Sequence, residues 1–135
     1  MAIEVHYWTT DVRRAVDFYT GALGFQADFR HPAEGEPNFC ILSLEGATVM
    51  IAGFDAISPA GDATRGDAQL RQIVAGRARA AGAMSVYIRV ADVEFHHERA
   101  RRALATVIEP LWVTPWGLRQ YSVLDPDGNI LTFHA

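Results

Sequence analysis

Hydrophobic and polar residues alternate near the start of the chain and then change period. Over residues 3–10, Ile3, Val5 and Tyr7 fall on one side of an extended segment, and Glu4, His6 and Trp8 on the other. That is the period of a strand. The pattern then turns helical: Val12, Ala15, Val16, Tyr19 and Leu23 share a face, with Arg13, Arg14 and Asp17 outside it. Thr10 or Asp11 supplies the N-cap, and Gly24 stops the helix. A second strand is expected over 25–30, a loop over 31–38, where Pro32, Gly35 and Pro37 cluster, and strands over 39–44 and 47–52. Glu45-Gly46 between the last two is hairpin chemistry.

The same order then returns. A strand is expected over 84–90, and Asp92 caps a helix with Val93, His96, Ala100 and Leu104 on one side. Residues 107–112 are extended. Strands over 118–124 and 130–134 flank Asp125-Pro126-Asp127-Gly128-Asn129, a strong turn sequence. Asp11-Val12 and Asp92-Val93 stand 81 residues apart. Few identities survive at that offset, but the order of strand, capped helix and three strands repeats. The fold expected is α+β: one domain, residues 1–135, of two βαβββ modules whose curved mixed sheets form a cleft. The modules span 1–54 and 84–135. The linker between them, 55–83, carries Pro59, Gly61 and Gly66, and a short helix is expected over 67–80.

Composition narrows the function. Half of the 135 residues are hydrophobic, enough for an ordinary core without disulfides. The single cysteine, Cys40, lies between Phe39 and Ile41 and reads as a small buried hydrophobe. A lone cysteine fits a reducing compartment, and the first residues show no signal-peptide pattern, so a cytoplasmic protein is expected. No stretch approaches a membrane span. The net charge is −4 with scattered acids, so neither a nucleic-acid partner nor a membrane is expected. All 12 basic residues are arginine, which removes lysine Schiff-base and P-loop chemistry.

Two motifs carry a family resemblance. Thr10-Asp11-Val12-Arg13-Arg14-Ala15-Val16-Asp17-Phe18-Tyr19, followed by Leu23-Gly24-Phe25, resembles the opening of vicinal oxygen chelate proteins. Pro115-Trp116-Gly117-Leu118-Arg119-Gln120-Tyr121, followed by the 125–129 turn, resembles their close. The superfamily includes glyoxalase I, extradiol dioxygenases, and fosfomycin and bleomycin resistance proteins; the Pro-Trp-Gly-x-Arg form is most similar to the bleomycin resistance branch. That branch implies a homodimer sequestering a cationic, metal-chelating ligand in crevices at the subunit interface. The enzymes of the superfamily imply a divalent metal held by histidine and glutamate on four strands. The matching positions here are Glu4, Met50, Ser85 and Thr132. Only Glu4 is an ordinary ligand, because a thioether and two hydroxyls hold hard divalent ions poorly. No metal cofactor is therefore expected, with a displaced site of Glu4, His6 and His134 as the alternative. His96 and His97 point about 100° apart on their helix and read as ordinary helix surface.

By strand parity the concave surface carries Glu4, His6, Trp8, Ser85, Tyr87, Arg89 and Thr132, with Met50 and Trp112 added by connecting strands. Trp8 and Trp112 suit stacking on a planar heterocycle, and Glu4 suits a cation. Arg119 either orients a loop or faces the ligand, and Trp116 reads as structural. The favoured function is a small-molecule binding protein that sequesters a cationic or aromatic ligand. The alternatives are a metal-dependent glyoxalase-type lyase or dioxygenase, and a metal-free isomerase or hydrolase using Glu4 and His6.

Overall fold

The computed structural model describes residues 3–53, 72, 73, 76 and 84–135. The expected linker and its helix over 67–80 lie almost wholly outside the described residues.

The first half runs β1 (Val5–Trp8), α1 (Val12–Gly21), β2 (Gln26–His31), β3 (Phe39–Leu44) and β4 (Ala47–Ala52). The second runs β5 (Ser85–Arg89), α2 (Val93–Arg102), β6 (Thr106–Val113), β7 (Arg119–Leu124) and β8 (Ile130–His134). Each half forms a four-stranded mixed sheet, ordered β1-β4-β3-β2 and β5-β8-β7-β6. The first and last strands of each half pair parallel, and the other pairs are antiparallel. This is the expected α+β architecture.

Local chemistry explains the elements. Asp11 and Asp92 sit in extended backbone, and each side chain accepts from the amide three residues on, at Arg14 and Phe95. Glu45 and Gly46 both take positive φ, as the two-residue turn between β3 and β4 requires. The strand expected from residue 25 begins one residue later, because Phe25 is buried in the core while β2 is exposed throughout. Leu104 departs from its expected place on the packed side of α2. It lies beyond the helix end at φ 60 and is 89% exposed, since the chain must turn left-handed to leave the helix.

One core joins the halves. Tyr7, Tyr19, Leu42, Val49 and Ile51 from the first half and Ile88, Val93, Tyr121, Val123 and Phe133 from the second belong to a single buried cluster. Each such large side chain contributes roughly 1.5–3 kcal/mol by leaving water. Polar bridges fix how the halves meet. Tyr19 is fully buried and donates to Asp125 Oδ2 at 2.9 Å. Asp125 also accepts from the Asp127 and Asn129 amides and the Asn129 side chain, so its carboxylate is enclosed by donors. Glu45 accepts from the Ala91 amide at 2.9 Å, and Arg14 faces Asp127 at 3.6 Å. The last hairpin of each half thus sits against the start of the other half's helix.

His96 corrects the surface assignment. It is buried, with Nε2 2.7 Å from the Leu23 carbonyl and Nδ1 against the Tyr121 hydroxyl. The carbonyl can only accept, so the proton lies on Nε2 and the tyrosine donates to Nδ1. Gly24, at φ 79, lets the chain pass Arg99 closely: a Cβ there would stand 3.2 Å from the guanidinium carbon.

Candidate functional site

Among the described residues, each sheet has one face packed on its helix and an opposite face that no helix covers. On the first sheet, Val5 and Tyr7 turn toward the core, so His6 and Trp8 occupy the open face. Strand register sets His6 beside Met50, Met50 beside Ile41 and Ile41 beside Phe29. Trp8 packs edge-on against His6 with ring centroids 4.6 Å apart, and Phe39 lies near both His6 and Phe29. The result is an aromatic and thioether surface. Burial holds the His6 imidazole below its usual range, so it is neutral at physiological pH. Glu4 is exposed just before β1, and the strand partner of Met50 is His6, two positions further on.

The open face of the second sheet is polar. One row crosses Tyr87, Thr132, Ser122 and Glu109, and the next crosses Arg89, His134, Gln120 and Trp112. Ser122 and Thr132 hydroxyls are 2.7 Å apart. Ser122 Oγ and Gln120 Nε2 both donate to Glu109 Oε1, at 2.9 and 3.0 Å. Ser122, Gln120 and Thr132 are buried, and these bonds satisfy the two hydroxyls and the Gln120 amide N–H. Tyr87 and Trp112, 58% and 39% exposed, rise at the sides, and Ser85 and Arg89 are exposed on β5. His134 leans toward Tyr87, and its imidazole is lowered by burial and then by the Arg89 charge.

Glu109 was missed by parity, which places it with Val107 on the core side. β6 carries an extra residue on each side of Glu109, between Val107 and Glu109 and between Glu109 and Trp112. The two bulges turn Glu109 outward and return Leu111 to the core. The available signal was Pro110, since a proline within a strand marks an edge or a bulge, and β6 is an edge.

Other positions fall elsewhere. Arg119 lies on the helix side of β7 and pairs with Glu94 of α2. Trp116, read as structural, is 69% exposed at the tip of a turn closed by Gly117 N–H to Thr114 O at 2.9 Å. Cys40 is buried and its thiol is pushed up by burial, in keeping with a packing role. The two open faces belong to separate sheets. Among the described residues no hydrogen bond or aromatic contact joins His6, Trp8 or Met50 to Tyr87, Thr132 or Trp112.

A divalent metal of the kind the superfamily's enzymes use does not suit these residues. Met50 offers a thioether, and the Thr132 hydroxyl is engaged with Ser122. Within one chain the displaced set is not brought together: His6 and His134 stand in different sheets, and among the described residues no three His, Cys, Asp or Glu side chains converge.

Known proteins share this architecture. The model of the Glyoxalase/Bleomycin resistance protein/Dioxygenase superfamily matches residues 3–133. The crystal structure of TioX from Micromonospora sp. ML1 is 31% identical, covering 99% of this chain and 97% of that one with a TM-score of 0.75. A glyoxalase/bleomycin resistance protein from Streptomyces sp. CB03234 is 20% identical over 98% of this chain and 100% of its own, TM-score 0.59. A superfamily member from Sphaerobacter thermophilus DSM 20745 is 19% identical over 99% and 97%, TM-score 0.62. No curated protein matches the sequence. With the family model spanning nearly the whole chain, the chain belongs to the Glyoxalase/Bleomycin resistance protein/Dioxygenase superfamily.

Proposed function

We propose that this protein binds and sequesters a small cationic or aromatic molecule, as its resemblance to the bleomycin resistance branch implies, without metal chemistry. The observation that carries this reading is the complementary character of the two open faces. One offers Trp8, His6, Phe39 and Met50 for stacking, and the other offers a hydrogen-bonded carboxylate and hydroxyl network beside Trp112 and Tyr87. Ligand pockets combine such an apolar lining with a few placed polar groups. The two faces of one chain lie on separate sheets, and a homodimer setting the first sheet of one copy against the second sheet of its partner completes a cleft. Trp8, His6, Met50, Tyr87, Thr132 and Trp112 then line it, with Glu4, Ser85 and Arg89 at its rim.

The test is a titration with bleomycin, metal-free and copper-loaded, followed by tryptophan fluorescence. Saturable quenching at about micromolar or tighter, one ligand per chain, is expected. Loss of that response in Trp8→Phe combined with Glu4→Gln supports the cleft; unchanged affinity removes it. No quenching in the wild type withdraws this drug as ligand. Sedimentation at micromolar concentration is expected to give a dimer, and a monomer alone removes the shared cleft.

A further inference from the structure

Glu109 has a strand distorted around it. Without the bulges on either side it would point at the core with Val107 and Leu111. With them it stands on the open face, held by Ser122 and Gln120 through Oε1 alone. Among the described residues Oε2 receives no hydrogen bond and no arginine pairs with this carboxylate. Gln120 uses its amide N–H to fix Glu109, while its Oε1 is buried without a partner, as is Nδ1 of His134 in the adjoining strand. Buried polar atoms of this kind ordinarily find partners, so a polar ligand at this face would complete a network that the protein leaves open. Trp112 is the strand partner of Gln120 and is 39% exposed.

We propose that Glu109 is the specificity-determining residue of the site and takes a protonated nitrogen, an amine or amidinium, attached to a flat ring that stacks on Trp112. This rests on the reading of the open faces as a ligand cleft. A half-buried carboxylate already oriented by two donors binds a cation without first losing conformational freedom, and charge-assisted bonds are about twice as strong as neutral ones.

The experiment is isothermal titration with two planar probes of one ring system, 9-aminoacridine, cationic at pH 7.5, and acridine, neutral there. Wild type, Glu109→Gln and Trp112→Leu are compared. Glutamine keeps an acceptor for Ser122 and Gln120, and thermal melts confirm that the variants fold. The expected result is that wild type prefers the cation by at least about tenfold, that Glu109→Gln abolishes this preference while changing acridine affinity less than about twofold, and that Trp112→Leu weakens both probes. If both probes bind and the ratio is the same in Glu109→Gln, the role of Glu109 is overturned and the cleft stands. If neither binds wild type, the proposal and the aromatic cleft fall together.

Discussion

The Tyr19–Asp125 bridge brings a carboxylate into the seam between the halves. Tyr19 is wholly buried, and its hydroxyl is one of four donors to the carboxylate. Tyr19→Phe keeps the ring and its contacts with Tyr7, Phe18 and Phe25, and removes the hydroxyl with its bond to Asp125. A hydrogen bond to a charged group contributes about 1.5–3 kcal/mol, so the variant is expected to lose about 2 kcal/mol. For a domain of this length that is a fall in Tm of roughly 6 °C. Asp125→Ala strands the tyrosine hydroxyl, two backbone amides and the Asn129 amide, and is expected to cost about 3–5 kcal/mol. In the double variant the hydroxyl has no partner left to lose, so Tyr19→Phe becomes nearly silent. The cycle, measured by urea unfolding with far-ultraviolet circular dichroism, is expected to show a coupling of about 1–2 kcal/mol. Strict additivity, within about 0.5 kcal/mol, would refute the claim that this bond holds the halves together.

Stability is expected to fall as pH drops below about 6.5, because the unfolded chain takes up a proton that the buried native His96 resists. The group's native pKa is lowered, chiefly by desolvation, so its contribution is complete above the unfolded value and is lost as pH falls, with a slope of at most about 1.4 kcal/mol per unit. His6 and His134 act in the same direction. His96→Leu is expected to cost about 2–4 kcal/mol at pH 7.5 by leaving the Leu23 carbonyl unpaired, and to flatten the slope between pH 7.5 and 5.5; an unchanged slope in urea titrations would assign it to other groups. Asp11→Ala and Asp92→Ala are each expected to lower stability by about 1 kcal/mol and to add when combined, since the caps sit on different helices; thermal melts check both.

Most of the secondary structure and the repeat were legible in the residues. The alternation at Ile3, Val5 and Tyr7, the Asp11 and Asp92 caps, the Glu45-Gly46 turn and the 125–129 turn act over a few residues, so their signals are local. Packing them twice in the same order sets the fold class, and the motifs at both ends point to the superfamily. The side-chain roles that depend on distant partners were not legible. His96 lies 73 residues from the carbonyl it meets and Tyr19 lies 106 from its carboxylate, and nothing near either announces the contact. Parity failed at Glu109, because a bulge adds one residue and reverses every inference about facing beyond it, while Pro110 marks only that a distortion is present. The sequence by itself determined the order of strands and helices, which residues cap and turn them, and that the unit occurs twice. Tertiary structure decided that Glu109 reaches the open face and that His6 stands beside Met50. It also decided that the two open faces of one chain lie on separate sheets. Those outcomes depend on register and on packing between segments far apart in the chain, and neither leaves a periodic trace in the residues themselves.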